Sequence, residues 1–379
     1  MKNILLMNKI AKCGTALFSS DYTVSETATE PVGIMVRSAS LLETKFDPTL
    51  EAIARAGAGV NNIPCDRCAE EGIVVFNTPG ANANAVKELA ICALFLASRD
   101  VVGGISWAGT LAGSELGVAK AVEKGKSKFG GCEITGKTLG IIGLGAIGRL
   151  LANAAVGLGM KVVGCDPYLS EAAAKQLDPS VKRLGSFEEV YAVSDYISLH
   201  VPATPETKGM INTANIAKMK DGVKILNLAR ADLINAAELK EAIASGKVGK
   251  YVTDFPTEET INVPGIVAIP HLGASTEEAE DNCAAMAAKE LIDFIENGNI
   301  TNSVNYPALN APKAGKFRVC VLAAADVDPA KVLADVPFVK GSASAVKKAA
   351  YIIADTDVDP SDAAEVIRKI PGVRRVLVK

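Results

Sequence analysis

The chain of 379 residues contains few aromatic or imidazole side chains, with one tryptophan, two histidines and 5% aromatic residues in all. His200 and His271 are therefore its only candidates for imidazole chemistry. The formal net charge of −3 argues against a broad basic surface for nucleic acid, although it leaves room for a local basic pocket that binds an anion. Long hydrophobic runs are lacking, which predicts no membrane partner. The N-terminal MKNILLMNKI lacks the apolar segment of a signal peptide.

Disorder is excluded by the composition, because 49% of the residues are hydrophobic and 22% are charged. A chain of this length is expected to form two or three domains. Its eight cysteines are scattered and several lie in apolar stretches, which is typical of free thiols in the reducing cytoplasm. The pair Cys65 and Cys68 has no second pair and no nearby histidine, so we predict no metal site, while a redox role stays open.

Short apolar runs alternate with polar or helical stretches over the first ninety residues and again over residues 139–271, which predicts two α/β units with parallel sheets. After the second unit the sequence predicts one long helix, with Ser275 as its N-cap and Gly298 at its end. Residues 307–315 have the composition of a linker. Beyond the linker, a βαββαβ pattern predicts a separate small α+β module.

Gly143, Gly145 and Gly148 form the pattern G-x-G-x-x-G between an apolar strand and a helix. The first glycine permits a tight turn, the second lets the backbone approach a pyrophosphate, and the third lets the helix pack on the strand. The amides at the helix N-terminus then face the phosphates. A second strand ends at Asp166, whose carboxylate suits ribose hydroxyls and repels a 2′-phosphate, so NAD is favoured over NADP. The alternative, a tight turn without a ligand, is disfavoured by this order of elements.

A second phosphate-binding pattern, G-x-x-x-x-G-K-T, occurs at residues 131–138, and we interpret it as a chance match. A phosphate loop requires a strand before it and a helix after it. Here the residues that follow Lys137 are TLGII, which predicts a strand instead.

Three motifs follow the glycine pattern: NLARADLIN with Arg230, DFPTEE with Glu258, and IPHLGAST with His271. Together with GLGAIG, and with VRSAS, ARAGAGVNNI and FNTPGANANAVKELA upstream, they resemble the D-isomer-specific 2-hydroxyacid dehydrogenase family in collinear order over nearly the whole chain. The upstream motifs resemble the branch of that family that acts on 3-phospho-D-glycerate. Residues 349–379 resemble part of a shortened ACT domain.

This resemblance implies an α/β fold, in which a Rossmann dinucleotide-binding domain is inserted in a flavodoxin-like substrate domain and is followed by a small α+β, ACT-like module. It implies a substrate domain of residues 1–93 and 273–305, an NAD-binding domain of residues 94–272 and a module of residues 316–379. It also implies a homodimer or homotetramer, with the helical stretch near residues 100–122 as a contact region.

The residue types suit the oxidation of a 2-hydroxy acid. Loss of a hydride from C2 requires a base for the hydroxyl proton, and imidazole is matched to neutral pH, so we predict His271 as the base. The resemblance assigns to Glu258 the carboxylate that orients the ring, and Glu259 stays an alternative. Arg230 is predicted to hold the substrate carboxylate with its planar guanidinium. His200 is interpreted as structural.

Arg37 and Ser38 follow a strand of the first α/β unit, where such a pair can hold a phosphate; a solvated surface arginine is the alternative. The resemblance places the substrate phosphate here and the substrate carboxylate at Ala58, Gly59 and Val60. By the same resemblance, the residues expected to contact NAD are Gly143, Gly145, Ala146, Ile147, Gly148, Asp166, Ala229, Asp254 and Gly273.

The resemblance thus implies a cytoplasmic, NAD-dependent dehydrogenase that converts 3-phospho-D-glycerate to 3-phosphooxypyruvate, the first step of L-serine biosynthesis. Two alternatives stay open: a relative that acts on an unphosphorylated acid, such as a glyoxylate or hydroxypyruvate reductase, and a non-catalytic regulator that senses NAD. The presence of Arg230, Glu258 and His271 together disfavours the regulator. ACT modules often bind amino acids, so feedback by serine is a further hypothesis, although the loop ADVDPAK lacks the glycine-rich character of such ligand sites.

Overall fold

The computed structural model describes residues 1–379, and the chain forms two compact units. The first unit contains Met1–Asn82 and Thr276–Lys379, and the second contains Ala83–Ser275. Up to residue 82 the elements are β1 (Lys2–Leu6), α1 (Lys12–Thr15), β2 (Tyr22–Ser25), β3 (Gly33–Val36), β4 (Ala52–Arg55), α2 (Cys65–Glu70) and β5 (Val74–Phe76).

The second unit comprises fifteen helices and strands, apart from short 3-10 turns. In chain order they are α3 (Ala83–Ser98), α4 (Val101–Gly109), α5 (Val118–Gly125), β6 (Thr138–Ile142), α6 (Ala146–Gly157), β7 (Lys161–Cys165), α7 (Glu171–Ala174), β8 (Lys182–Arg183), α8 (Phe187–Val193), β9 (Tyr196–Leu199), α9 (Thr213–Ala217), β10 (Val223–Asn227), α10 (Ala236–Ala244), β11 (Val248–Thr253) and β12 (Ile266–Ala268). The chain then returns to the first unit with α11 (Glu277–Asn297), β13 (Phe317–Ala324), α12 (Pro329–Ala334), β14 (Gly341–Val346), β15 (Ala349–Thr356), α13 (Ser361–Ile367) and β16 (Val373–Val378).

The second unit is built on a seven-stranded parallel sheet with the order β12-β11-β10-β9-β6-β7-β8. Side chains alternate between its faces, so that Ile141 packs with α3 and α6 while Ile142 packs with α8, α9 and α10. Helices therefore cover both faces, which explains why the strands are almost uniformly apolar. The predicted α/β fold with a Rossmann-type parallel sheet is confirmed.

The direction of the strand order reverses at β6. From β6 the chain proceeds to β7 and β8 on one side, whereas β9, β10, β11 and β12 lie on the other side. In open α/β sheets, ligands bind outside the carboxyl ends of the strands at such a switch point. The glycine loop that follows β6 lies at this point.

The first unit contains a five-stranded parallel sheet with the order β2-β1-β3-β4-β5, against which α11 packs. The predicted long helix is present, and Gly298 ends it with a left-handed backbone at φ +69°. The predicted N-cap was wrong by one residue: Thr276, not Ser275, caps the helix, because the Thr276 hydroxyl accepts a hydrogen bond from the Ala279 amide at 3.1 Å.

The C-terminal residues have the predicted order βαββαβ and form an antiparallel sheet, β14-β15-β13-β16. One sheet face packs on α12 and α13. The other face, with Leu322 and Tyr351, shares a hydrophobic core with Phe294 of α11. Arg318, which is fully buried, binds Asp355 through two hydrogen bonds of 2.8 and 2.9 Å and donates to the Asn297 carbonyl. The module is thus an integral part of the first unit, whereas its sequence predicts a separate body.

Helix α3 belongs to a different unit from the one predicted. It packs against α6, β10 and β11, so the second unit begins at Ala83 and includes residues 83–93, which the sequence division assigned to the substrate domain. No single helix has the length and apolar character needed to cross a membrane. Helices α3 and α4 have this length and character only when taken together, and they are bent by 72° relative to each other.

Candidate active site

The glycine loop after β6 has the geometry that the fingerprint requires. Gly143 adopts φ +93°, and a Cβ there would lie 2.7 Å from the His200 carbonyl oxygen. A Cβ on Gly148 would lie 2.0 Å from the Gly143 carbonyl oxygen, so this glycine permits the close approach of α6 to the loop. At Gly145 no heavy atom lies within 4 Å of such a Cβ, and no side chain caps α6 at this end. The open space at a helix N-terminus suits a pyrophosphate.

Asp166, the residue predicted to contact the ribose, supports this loop. Its carboxylate accepts hydrogen bonds from the amides of Leu144 and Tyr168, each at 2.9 Å. The first of these bonds joins the end of β7 to the glycine loop after β6. Gly145, Ala146 and Ile147 directly follow Leu144, so the predicted NAD residues of β6, α6 and β7 are brought together.

Arg230 lies on the loop after β10, and the buried Asn227 fixes that loop. Its side-chain Oδ1 accepts hydrogen bonds from the backbone amides of Ala229 (3.1 Å) and Arg230 (3.3 Å). Its Nδ2 donates to the Arg230 carbonyl (2.8 Å) and the Tyr251 hydroxyl (3.0 Å). The guanidinium is exposed, donates to the Ala229 carbonyl and lies 5.7 Å from the centre of the Phe255 ring. No carboxylate pairs with it, so its charge is available to an anionic ligand.

His271 follows β12 and has an unusual left-handed backbone at φ +55°. Asp254, which is buried at the end of β11, accepts hydrogen bonds of 2.7 Å from the amides of both Leu272 and Gly273. These two bonds hold the turn that presents the exposed imidazole. Burial raises the pKa of the Asp254 carboxyl, and this effect exceeds the opposite effects of the two amides and of His271.

Phe255 connects the two predicted chemical residues. Its ring centre is 4.6 Å from that of His271 at an interplanar angle of 47°, and its other contact is the Arg230 guanidinium. Arg230, Phe255 and His271 follow three adjacent strands, β10, β11 and β12, at their carboxyl ends. The sheet therefore brings the predicted base and the predicted carboxylate-binding arginine to one site.

Neither Glu258 nor Glu259 contacts His271. Both are exposed, and neither forms a hydrogen bond or ion pair with the imidazole. A turn between Thr257 and Thr260 explains this, because the Thr257 amide donates to the Thr260 hydroxyl (2.9 Å) and the Thr260 amide donates back to the Thr257 carbonyl (2.9 Å). The two glutamates occupy the tip of that turn. Glu259 lines a cavity of about 330 Å³ together with Asp232 and Lys208.

In the first unit, Arg37 and Ser38 lie at the carboxyl end of β3. The side-chain oxygen of Asn8 accepts hydrogen bonds from three consecutive amides, those of Arg37 (3.2 Å), Ser38 (3.0 Å) and Ala39 (2.8 Å). The Ser38 side chain is exposed, and the Arg37 guanidinium forms an ion pair of 2.8 Å with Glu280 on α11. The loop is therefore fixed, but its cation already has a partner.

The neighbouring strand β4 ends at Arg55, which sequence reasoning did not select. Its Nε donates to the Arg37 carbonyl at 3.1 Å, and its guanidinium lies so close to Gly57 that a Cβ there would be 1.6 Å from Nη1. Gly57 has φ +148°, which only glycine adopts easily. Ala58, Gly59 and Val60 follow in an exposed to half-buried loop. The predicted carboxylate-binding backbone therefore directly follows Gly57, against which the Arg55 guanidinium lies.

His200 has a structural environment. Its Nε2 lies 2.8 Å from the Ser198 hydroxyl, and burial lowers its pKa to about 4. These contacts account for its presence without a role in catalysis. The side chains that sequence reasoning missed are Asn8, Asn227, Arg55, Phe255 and Glu280, and two of them share a signal: Asn8 and Asn227 are polar residues at or just beyond the end of an apolar strand.

The second unit matches a known family. Residues 112–273 match the family model described as the D-isomer specific 2-hydroxyacid dehydrogenase, NAD binding domain. These residues match the NAD-binding domain of that family, and NAD is the cofactor of the domain. The glycine loop fits this cofactor, because Gly145 leaves space at the N-terminus of α6.

Similar proteins extend the comparison to both units. D-3-phosphoglycerate dehydrogenase of Bacillus subtilis (strain 168) is 35% identical over 295 residues, which cover 75% of this chain and 53% of that protein. The chain thus spans about half the length of the curated relatives it matches. Two solved structures are similar: a glyoxylate reductase from Paecilomyes thermophila (28% identity, TM-score 0.67, 80% of this chain and 98% of that one) and an NAD+-bound 3-phosphoglycerate dehydrogenase in Entamoeba histolytica (27%, 0.62, 81% and 99%).

Proposed function

We propose that the protein is an NAD-dependent dehydrogenase that oxidises 3-phospho-D-glycerate to 3-phosphooxypyruvate. The observation that carries the proposal is the convergence of Arg230 and His271 on Phe255, at the carboxyl ends of adjacent strands of a sheet whose glycine loop fits NAD. The similarity to D-3-phosphoglycerate dehydrogenases supports the choice of substrate.

In this mechanism the substrate C2 loses a hydride while its hydroxyl loses a proton. NAD, when bound at the glycine loop, supplies the acceptor for the hydride. His271 takes the hydroxyl proton at its free imidazole nitrogen, and the C2–O bond becomes a carbonyl. Arg230 binds the substrate carboxylate through two parallel N–H donors, because no protein carboxylate competes for its guanidinium. In the reverse direction the imidazolium returns the proton to the oxygen.

Asp254 and Phe255 position the base in this proposal. Asp254 holds the turn at Leu272 and Gly273, so that the left-handed backbone of His271 is maintained. Phe255 packs against the imidazole and limits its rotation. Precise placement is needed because proton transfer requires the two heavy atoms to be within about 3 Å of each other.

The carboxylate partner of His271 is proposed to be Glu258, with Glu259 as the alternative. In the structure neither glutamate forms a hydrogen bond or ion pair with the imidazole, so the partner has to move to reach it. We expect Glu258→Gln to lower kcat by about 10- to 100-fold and Glu259→Gln to leave it within about twofold, since an ionised carboxylate stabilises the imidazolium. The pH dependence of kcat/KM for both variants separates the two residues. The opposite ranking would assign the role to Glu259.

Arg37 and Ser38 are proposed to bind the substrate phosphate, and the backbone of Ala58, Gly59 and Val60 its carboxylate. Arg55 adds a second positive charge beside this loop. The similarity to a glyoxylate reductase supports the rival assignment to an unphosphorylated acid. NADH production measured in parallel with 3-phospho-D-glycerate, D-glycerate and D-lactate distinguishes these assignments. Equal or better turnover of D-glycerate would overturn the proposal, and turnover of no acid would favour a non-catalytic regulator.

His271→Ala tests the assignment of the base. We expect turnover to fall by about 10²- to 10⁴-fold, which is the usual contribution of general base catalysis. Binding of NADH, followed by its fluorescence, should change little because His271 lies outside the glycine loop. Loss of NADH binding in a folded variant would contradict the role given to His271. His200→Asn serves as the matched control for removal of the other imidazole.

We also propose a homodimer or homotetramer in the cytoplasm, with contacts through residues 100–122. Helix α4 has no buried residue, and Ile105 is 69% exposed. Leu116 and Val118 are also exposed, so this stretch forms an apolar surface of the kind that mediates association. Light scattering of the wild type and of Ile105→Glu tests this: the wild type should be at least dimeric and the variant smaller.

The C-terminal module is proposed to be ACT-like. A serine titration, followed by the reaction rate and the melting temperature, tests whether the module regulates the activity.

A further inference from the structure

The ion pair between Arg37 and Glu280 joins two parts of the first unit. Nη2 of Arg37 lies 2.8 Å from Oε1 of Glu280, and the two side chains are 39% and 42% exposed. Glu280 lies in the first turn of α11, where Glu277 and Glu278 are exposed and form no ion pair. A single carboxylate of this helix therefore neutralises the arginine at the end of β3.

The pair does not hold the loop in place. Three side chains already fix the backbone of Arg37. The side chain of Asn8 accepts a hydrogen bond from the Arg37 amide, and the side chains of Arg55 and Asn62 donate to the Arg37 carbonyl. Glu280 contacts only the guanidinium. Its effect on a ligand at Arg37 is therefore electrostatic, and the backbone geometry of the loop does not depend on it.

We infer that Glu280 is a specificity-determining residue: it is the counter-charge that a substrate phosphate must displace from Arg37, and it thereby weakens the binding of phosphorylated acids selectively. This inference rests on the proposed function, in which Arg37 binds the phosphate. A phosphate bound at Nη2 of Arg37 displaces the Glu280 carboxylate from the guanidinium. The displaced carboxylate stays nearby and repels the phosphate, because both are negative. An unphosphorylated acid leaves the ion pair intact.

The size of the effect follows from the exposure of the pair. Two unit charges at 4 Å interact by about 1 kcal/mol in water, and half-exposed ion pairs contribute little more. Removal of the Glu280 charge should therefore lower KM for 3-phospho-D-glycerate by about three- to tenfold. The effect should decrease as ionic strength rises, because salt screens exposed charges.

The experiment compares Glu280→Gln with the matched control Glu278→Gln in the full chain. Glutamine keeps the length of the side chain and an oxygen that accepts from Arg37, but it removes the charge. Glu278→Gln removes the same charge from the same helix turn without an ion pair. We expect Glu280→Gln to lower KM for 3-phospho-D-glycerate and the inhibition constant of inorganic phosphate by about three- to tenfold, with D-glycerate unchanged. Glu278→Gln should change each value by less than about twofold.

Other outcomes overturn the inference in recognisable ways. A higher KM for 3-phospho-D-glycerate in Glu280→Gln would show that the carboxylate assists Arg37. Equal effects in both variants would show only a general change in charge. If the wild type prefers D-glycerate, the proposed function fails, and inhibition by inorganic phosphate still decides whether Glu280 competes at Arg37. No change in phosphate inhibition would then reject the inference by itself.

Discussion

The two units differ in how completely their buried polar groups are paired. Four buried side-chain atoms have no hydrogen-bond partner by strict geometry within the chain, and all four lie in the first unit: Asn62 Oδ1, Arg67 Nε, Thr78 Oγ1 and Glu290 Oε2. In the second unit, Asn227 and Asp254 use both ends of their side chains in hydrogen bonds to the loops that carry Arg230 and His271. Because satisfied buried networks rigidify a structure, the second unit is the better suited to fix reacting groups.

This difference corresponds to two kinds of task. Proton and hydride transfer tolerate little misplacement, so the groups proposed for chemistry need a rigid framework. The phosphate recognition proposed for Arg37 depends on charge and tolerates movement, and the ion pair of Arg37 with Glu280 is half-exposed. Changes in the second unit should therefore affect all substrates, and changes at the phosphate site of the first unit should affect only some.

Among the substitutions that compare the two units, Arg230→Gln should have the largest effect on turnover. We expect kcat/KM to fall by about 10²- to 10³-fold, because the variant loses the charged donors that are proposed to hold the substrate carboxylate and oxygen. The loss should be equal for phosphorylated and unphosphorylated acids. Arg183→Gln, which removes an exposed charge from strand β8, is the control and should be silent. A loss confined to 3-phospho-D-glycerate would erase the contrast between the units.

Asn227→Asp tests the rigidity of the Arg230 loop. The aspartate cannot donate to the Arg230 carbonyl or the Tyr251 hydroxyl, and a buried charge is added. We expect kcat to fall by about 10- to 100-fold for every substrate, together with about 1–3 kcal/mol of stability. Tyr251→Phe removes one of these partners and should have a smaller effect. Steady-state kinetics measure the effect on kcat, and denaturant unfolding measures the effect on stability. An unchanged kcat with lowered stability would leave Asn227 a purely structural role.

Arg37→Gln should have a selective effect. We expect KM for 3-phospho-D-glycerate to rise about tenfold, which is the usual worth of a half-exposed charged hydrogen bond, and KM for D-glycerate to stay within about twofold. kcat should change little, because Arg37 belongs to the first unit and the residues proposed for proton transfer belong to the second. Equal losses for both acids would mean that the arginine shapes the loop and does not read the phosphate.

Glu290→Gln should have the smallest effect on activity and a pH-dependent effect on stability. Burial raises the pKa of Glu290 to about 7, against a smaller lowering by the Asn302 hydrogen bond. The folded state therefore keeps a proton that the unfolded chain releases, so this contribution to stability is present at low pH and lost as pH rises through about 7. The variant should be more stable than wild type by up to about 3 kcal/mol at pH 8 and equal to it near pH 4.

The matching measurement is denaturant unfolding of wild type and Glu290→Gln across that pH range. Glu278→Gln, on the same helix but exposed, should show no such pH dependence. A variant that is less stable than wild type at pH 8 would mean that the ionised Glu290 has a partner in solution.

Much of the fold was predictable because periodicity and glycine spacing are local. The parallel sheets, the loop at Gly143, the helix that ends at Gly298 and the order βαββαβ were all predicted and are confirmed. The N-cap at Thr276 was missed because it is adjacent to Ser275 and both hydroxyls suit a cap. Local signals of this kind predict the presence of an element better than they predict the residue at which it begins.

What the sequence did not predict depends on contacts between distant segments. Asn8 was missed because its partners are amides of a loop 29 to 31 residues away, and Asn227 because one of its partners is the hydroxyl of Tyr251 on a neighbouring strand. The exposure of Glu258 follows from the turn at Thr257, whose hydrogen bonds no motif indicates. The sequence did contain a signal for the packing of the C-terminal sheet on α11. The sequence of β15, AAYIIADT, is largely apolar at successive positions, and all of its residues are buried, so both faces of the strand must be covered.

The buried pair of Arg318 and Asp355 has a consequence for how the molecule opens. Arg318 also binds the carbonyls of Asn297 and Ala311, so one guanidinium connects the last turn of α11, the linker and the terminal sheet. Separation of these parts would leave an unpaired buried charge, which is strongly unfavourable. In native-state hydrogen exchange, the amides of β13 and β15 should therefore exchange together with those of α11, as one foldon.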